Sequence, residues 1–139
     1  MSSRHKGRKR ALDILYAADV RGRPLSELLA EEAARASAEP SRESSWLFAQ
    51  DIVSAVVARQ DEIDDLIRQN SSWPLERMPS IDRALLRLAT AELLVHPDTP
   101  IAVVIAEAGE LASEYSTDDS RSFVQGVLGT LAEKTRLHE

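Results

Sequence analysis

From Arg8 onward, apolar residues return every third or fourth position, and Pro, Gly and Ser clusters interrupt that rhythm at intervals. A period near 3.6 turns one stripe of each segment inward as helix, whereas a strand needs a period of two. The reading is therefore an all-α chain. Ala11, Ile14, Leu15 and Ala18 predict a first helix from Arg8 to Val20, stopped by Arg21-Gly22-Arg23-Pro24. Leu25, Leu28 and Leu29 open a second segment that runs out before Pro40. Between Glu43 and Asn70, apolar residues from Trp46 to Ile67 predict one long helix or two stacked ones, with an interruption near Gln60.

The second half follows the same grammar. Met78-Pro79 is a breaker, with Ser80 expected to cap a helix whose core face is Ile81, Ala84, Leu85, Leu88, Ala91 and Val95. Thr99-Pro100 is read as a cap and first-turn proline, although Val103-Val104-Ile105 alone would suit a strand. Thr117-Asp118-Asp119-Ser120 supplies capping oxygens for a last helix that buries Phe123, Val124, Val127, Leu128 and Leu131. Neither a hairpin signature nor an internal repeat is present. The expectation is one domain over 1–139, a compact bundle of about six or seven helices, with a flexible basic arm at 1–8.

Chemistry is limited by what is missing. With no Cys, neither a disulfide framework nor a thiolate metal site can form, and a reducing, cytoplasmic setting is the simplest expectation. The sequence has no membrane-length apolar run, phosphate-binding glycine loop, GxSxG elbow or HExxH. His5, His96 and His138 lack metal-ligand spacing, so no metal, cofactor or catalysis is expected. The acidic pairs Asp61/Glu62, Asp64/Asp65 and Asp118/Asp119 read more simply as solvated faces and caps.

Charge distribution is more informative than the net charge of −6. Arg4, Lys6, Arg8, Lys9 and Arg10 fall within the first ten residues, where none of the 23 acids lies. Such an arm either binds phosphates, helped by counterion release, or is simply a solvated terminus. Lys9 and Tyr16 share a stripe turned away from the first helix's core face. An exposed aromatic beside cations is what single-stranded nucleic acid stacks on, while spacing alone favours an ordinary boundary tyrosine covering the core edge. Gly126 and Gly129 each cost roughly 1 kcal/mol of helix propensity, and close approach of another helix is the expected reason. Arg121 and Gln125, one turn apart, make a further pair within reach of a ligand.

These same segments resemble the NusB family. Arg4-His5-Lys6-Gly7-Arg8-Lys9-Arg10-Ala11-Leu12 through Tyr16 is similar to its basic opening helix. Ile81-Asp82-Arg83-Ala84-Leu85-Leu86-Arg87-Leu88, followed by Ala91-Glu92-Leu93, is similar to its central helix. Asp98-Thr99-Pro100, Glu107-Ala108, Glu110-Leu111-Ala112 and Phe123-Val124-Gln125-Gly126-Val127-Leu128-Gly129 follow its C-terminal pattern. Three positions depart from it: Gln125 stands where the family has Asn, Ala106 where Asn is common, and Gly109 where an apolar residue is usual.

The resemblance implies two helical subdomains and a non-catalytic transcription antitermination factor. Such a factor binds boxA, a single-stranded element of nascent ribosomal RNA, together with NusE, a small-subunit ribosomal protein, within the RNA polymerase antitermination complex. It further implies RNA contacts from Arg4, Lys6, Arg8, Lys9, Arg10 and Tyr16, bordered by Asp118, Arg121 and Gln125, with Asp82 and Arg83 facing NusE. Asp118 is equally readable as a helix cap. The alternative is an RNA-binding or regulatory homo-oligomer, related to the accessory domain of ribosomal RNA methyltransferases; no Rossmann-type catalytic segment accompanies it here.

Overall fold

The computed structural model describes residues 2–136; His138, and any role for it, lies outside them. The described residues form six α-helices and no strand: α1 (Ser3–Arg21), α2 (Leu25–Ala36), α3 (Glu43–Gln69), α4 (Ser80–Val95), α5 (Ile101–Tyr115) and α6 (Ser120–Thr135). Short 3₁₀ turns at Pro40–Arg42 and Leu75–Arg77 lead into α3 and α4. The helices α1, α2 and α3 pack together, α4, α5 and α6 pack together, and α4 touches both groups. Leu85, Leu86, Leu88, Ala89 and Ala91 are almost wholly buried, so α4 serves both halves of the core. Each large side chain hidden this way contributes about 1.5–3 kcal/mol of transfer free energy.

The expected flexible arm is instead the start of a helix. Ser2 caps α1 by accepting the His5 N–H at 3.1 Å, so the helix begins at Ser3 rather than Arg8. Gly7 lies where α1 crosses α3, and a Cβ there would stand 2.8 Å from Phe48 Cδ1 and 2.9 Å from the Ser45 carbonyl. At the other end Gly22, at φ 63°, takes the left-handed conformation that closes α1, its N–H bonding back to the Ala18 and Asp19 carbonyls. The interruption expected near Gln60 falls at Arg59 (φ −130°, ψ 28°), inside α3.

Three expected caps do other work. Ser80 is the first residue of α4, after Pro79, and no side chain caps that helix. Pro100 stands just before α5 rather than in its first turn, and the Thr99 hydroxyl accepts from Arg4. Asp119 precedes α6 without a capping hydrogen bond, and the Thr117 N–H donates to Ser120 Oγ. The stretch Val103-Val104-Ile105 is helical.

Polar groups on α4 fasten the other helices to it. Arg83 holds Asp19 of α1 at 2.6 Å, and Arg87, one turn on, holds Asp64 of α3 at 2.8 Å. Arg8 reaches Glu92 with two hydrogen bonds, 2.8 and 2.6 Å, both side chains being buried. Asp82, also buried, accepts from the hydroxyls of Ser116 and Ser120, tying the start of α4 to the turn between α5 and α6.

Candidate nucleic-acid interface

Alternating exposure along α1 follows from its helical period, and it divides the basic residues into three groups. Arg8 turns inward: burial pulls its pKa down, but the hydrogen bond to Glu92 and the charges of Glu92 and Glu107 outweigh that and raise it. Its guanidinium lies 5.2 Å from the Phe48 ring. A residue held this way cannot meet a phosphate without unmaking the core, so Arg8 is removed from the expected RNA contacts.

Arg4 and Lys9 face outward and His5 lies half-buried beside them, and all three already have partners. Arg4 donates to Asp98 and Thr99, both at 2.8 Å, and holds the Asp98 carboxyl below its ordinary range. His5 Nδ1 lies 2.8 Å from Glu107. Lys9 reaches Glu114 at 3.8 Å and sits 5.4 Å over the Tyr115 ring. Hydrogen bonding to Tyr115, followed by the charges of Glu114 and Asp13, holds the Lys9 ammonium above its ordinary pKa.

The third group is Lys6 and Arg10. Lys6 makes no ion pair among the described residues. Arg10 donates to Ser45 Oγ and the Arg42 carbonyl and lies 5.5 Å over the Trp46 ring, with no carboxylate partner.

Tyr16 is 39% exposed, as its place on the wheel predicts. Tyr115, 41% exposed, escaped the sequence reading. No spacing on α5 links it to α1; only folding places Lys9 over its ring. From the end of α5 the surface continues to α6, where exposed Arg121 donates to Ser113 at 3.3 Å. Asp118 is exposed and makes none of the hydrogen bonds of a cap. An aromatic–basic ridge thus runs along α1 and over the end of α5 to the start of α6.

Gln125 points elsewhere. Its amide donates to the Ile105 carbonyl at 3.3 Å, and a Cβ on Gly109 would stand 2.2 Å from Gln125 Nε2. The two departures from the family pattern are one device: a longer amide at 125 needs a residue without Cβ at 109. Gln125 is therefore committed to packing α6 on α5. Phe123 packs edge-on against Trp73, with ring centroids 5.3 Å apart, as a core-edge residue should.

Two further expectations fail on geometry. Asp82 is 1% exposed and Arg83 is engaged by Asp19 and the Leu75 and Met78 carbonyls, so neither is presented to a protein partner. Nothing lies within 4 Å of a Cβ built on Gly126 or Gly129, so no helix approaches them. Folding also gathers His5, Glu107 and Glu110 to within 4.8 Å, a grouping that sequence spacing conceals. With Arg8 lying 3.6 Å from Glu107, however, that carboxylate already has two basic neighbours.

Fold and surface together define a small helical binding domain, organised around a ridge of cations and aromatic rings. The NusB family model matches residues 5–133. Curated relatives named transcription antitermination protein NusB include that of Clavibacter michiganensis subsp. michiganensis, 52% identical and aligned over 95% of this chain and 97% of its own. Another, from Salinispora tropica, is 47% identical over 96% and 97%. Among solved structures, T. maritima NusB superposes with a TM-score of 0.79 at 33% identity, covering 94% of this chain and 91% of that one. A crystal structure of antitermination factors NusB and NusE in complex with dsRNA gives 0.82 at 26% identity, covering 96% and 98%. This chain belongs to the NusB family, and it is not an enzyme. No helix among the described residues is long and apolar enough to cross a membrane.

Proposed function

We propose that this protein acts in transcription antitermination by binding single-stranded boxA RNA of nascent ribosomal RNA, with NusE as its protein partner in the polymerase complex. The observation that carries the reading is the ridge on α1, where Lys6, Lys9, Arg10 and Tyr16 are accessible along one helix and Tyr115 and Arg121 extend their surface. Cations supply sequence-independent affinity through counterion release, and exposed rings offer faces to unpaired bases. Asp118 at the far edge of the ridge can accept from a base amino group while discouraging phosphate, which favours specific over indiscriminate contact. Relatives bearing the antitermination name, and a structural neighbour holding NusB and NusE with dsRNA, support a role in antitermination with NusE and RNA as partners.

The test is a triple replacement of Lys6, Lys9 and Arg10 by Ala, titrated with labelled boxA RNA at several salt concentrations. Weaker binding with a flatter salt dependence is expected, since each lost phosphate contact on a single strand removes about 0.7 from the slope of log affinity against log salt. An unchanged slope in a folded variant would contradict the assignment.

A further inference from the structure

A groove of about 850 Å³ runs between α1, α2 and the first turn of α3. Its ends differ in how their charges are paired. Where α1 and α3 begin, marked by the 2.9 Å contact between the Ser3 and Ser44 hydroxyls, Lys6, Arg10 and Arg42 line the walls. Further along, Asp13 faces α2, and its carboxyl pKa is raised by desolvation and by the charge of Glu32, against the pull of Lys9. Glu31 and Glu32 line that end together with Arg21 and Arg35, and Arg35 pairs with Glu32 at 2.7 Å.

The basic end differs from the rest of α1 in how its charges are spent. Arg4, Arg8 and Lys9 each face a carboxylate, so a phosphate reaching them must displace one. Lys6 and Arg10 face none, and Arg10 is held in place by Ser45, the Arg42 carbonyl and the Trp46 ring. Arg42 pairs only with exposed Glu39, an arrangement worth little in solvent. Free cations held beside serine hydroxyls, in an opening on an 850 Å³ scale, suit the phosphate backbone of a single strand.

We infer that the basic end of this groove seats phosphates of RNA flanking the stretch that lies on Tyr16, so that the junction of α2 and α3 joins the binding surface. The inference rests on the RNA-binding reading above.

Ser41, exposed on the groove wall, is the position to alter. Two RNAs serve as probes, boxA alone and boxA extended by uridine tails. Ser41→Glu places a negative charge at the basic end and should weaken the extended RNA about three- to tenfold at low salt, and boxA alone by a smaller factor, since boxA reaches Lys6 and Arg10 without extending to the junction of α2 and α3. Ser41→Lys should strengthen the extended RNA. Ala58→Glu, at an exposed α3 position away from the groove, carries the same change in net charge and should act on neither. Equal effects of Ser41→Glu and Ala58→Glu, or no effect of Ser41→Glu on the extended RNA, would overturn the inference while wild-type binding upholds the broader reading. Failure of the wild-type protein to bind either RNA refutes both, and the wild-type titration alone identifies that case.

Discussion

Replacing Arg8 by Ala should unfold this protein before it weakens RNA binding in any specific sense. Arg8 is 2% exposed and Glu92 has no exposed surface, and two hydrogen bonds of 2.8 and 2.6 Å join them. Removing the guanidinium leaves the Glu92 carboxylate in the core without its cation, a loss of about 3–5 kcal/mol for a buried pair broken on one side. Single domains hold about 5–15 kcal/mol in total, so the loss is a large share of what keeps the chain folded. In chemical denaturation the midpoint should fall steeply, and the melting temperature should drop on the order of 10–20 °C. Glu92→Gln should be nearly as damaging. Combining Arg8→Met with Glu92→Leu, which removes both charges and keeps volume, should recover most of the stability. Lys6→Ala, one exposed cation away, should stay within about 0.5 kcal/mol of wild type. A folded Arg8→Ala protein with wild-type stability and selectively weakened RNA binding would refute the reasoning and return Arg8 to the interface.

Other expectations follow from the same geometry. Gly126 is an exposed helical position with open space around a built Cβ, so Gly126→Ala should raise stability by about 0.5–1 kcal/mol in denaturant titration; a loss would point to a close neighbour after all. Tyr115→Ala should cost about 1–3 kcal/mol of RNA affinity if a base stacks on the ring, with unchanged thermal stability, whereas full affinity would confine Tyr115 to positioning Lys9. Asp13 has a raised carboxyl pKa, so its ionised form is disfavoured in the fold and stability falls as pH rises through that pKa. Asp13→Asn should therefore raise the melting temperature at neutral pH, with the gain vanishing in acid where wild-type Asp13 is protonated. A gain independent of pH would contradict the assignment.

Most helices were legible because burial of one stripe is a local, periodic signal, and the breakers at Gly22-Arg23-Pro24, Met78-Pro79 and Pro97 to Pro100 fall where helices end or begin. Caps were less legible, since the hydroxyls of Thr99 and Ser120 had distant partners in Arg4 and Asp82 that no local pattern displays. The same blindness put Arg8 and Asp82 on the surface. A signal for Arg8 did exist, and a matching one for Arg87: Glu92 follows Leu85 and Leu88 on the apolar stripe of α4, and Asp64 sits beside Ile63 on that of α3. A carboxylate on a core stripe requires a buried cation or donor, because burying an unpaired charge is prohibitive. Arg8 and Arg87 are those cations. Gly7 carried a comparable hint of close helix approach, whereas the glycines that attracted that reading, Gly126 and Gly129, face open space. Tyr115 had no signal of its own, because its importance comes from Lys9, far away in the chain.

The central claim is that the α1 ridge binds boxA RNA selectively and does so better with NusE. Fluorescence anisotropy of labelled boxA RNA tests it most directly, titrated with this protein alone and with NusE, at two salt concentrations and against a scrambled sequence. Selective, salt-sensitive binding strengthened by NusE and weakened by Tyr16→Ala is the predicted result. Equal affinity for boxA and scrambled RNA, with or without NusE, would contradict the account.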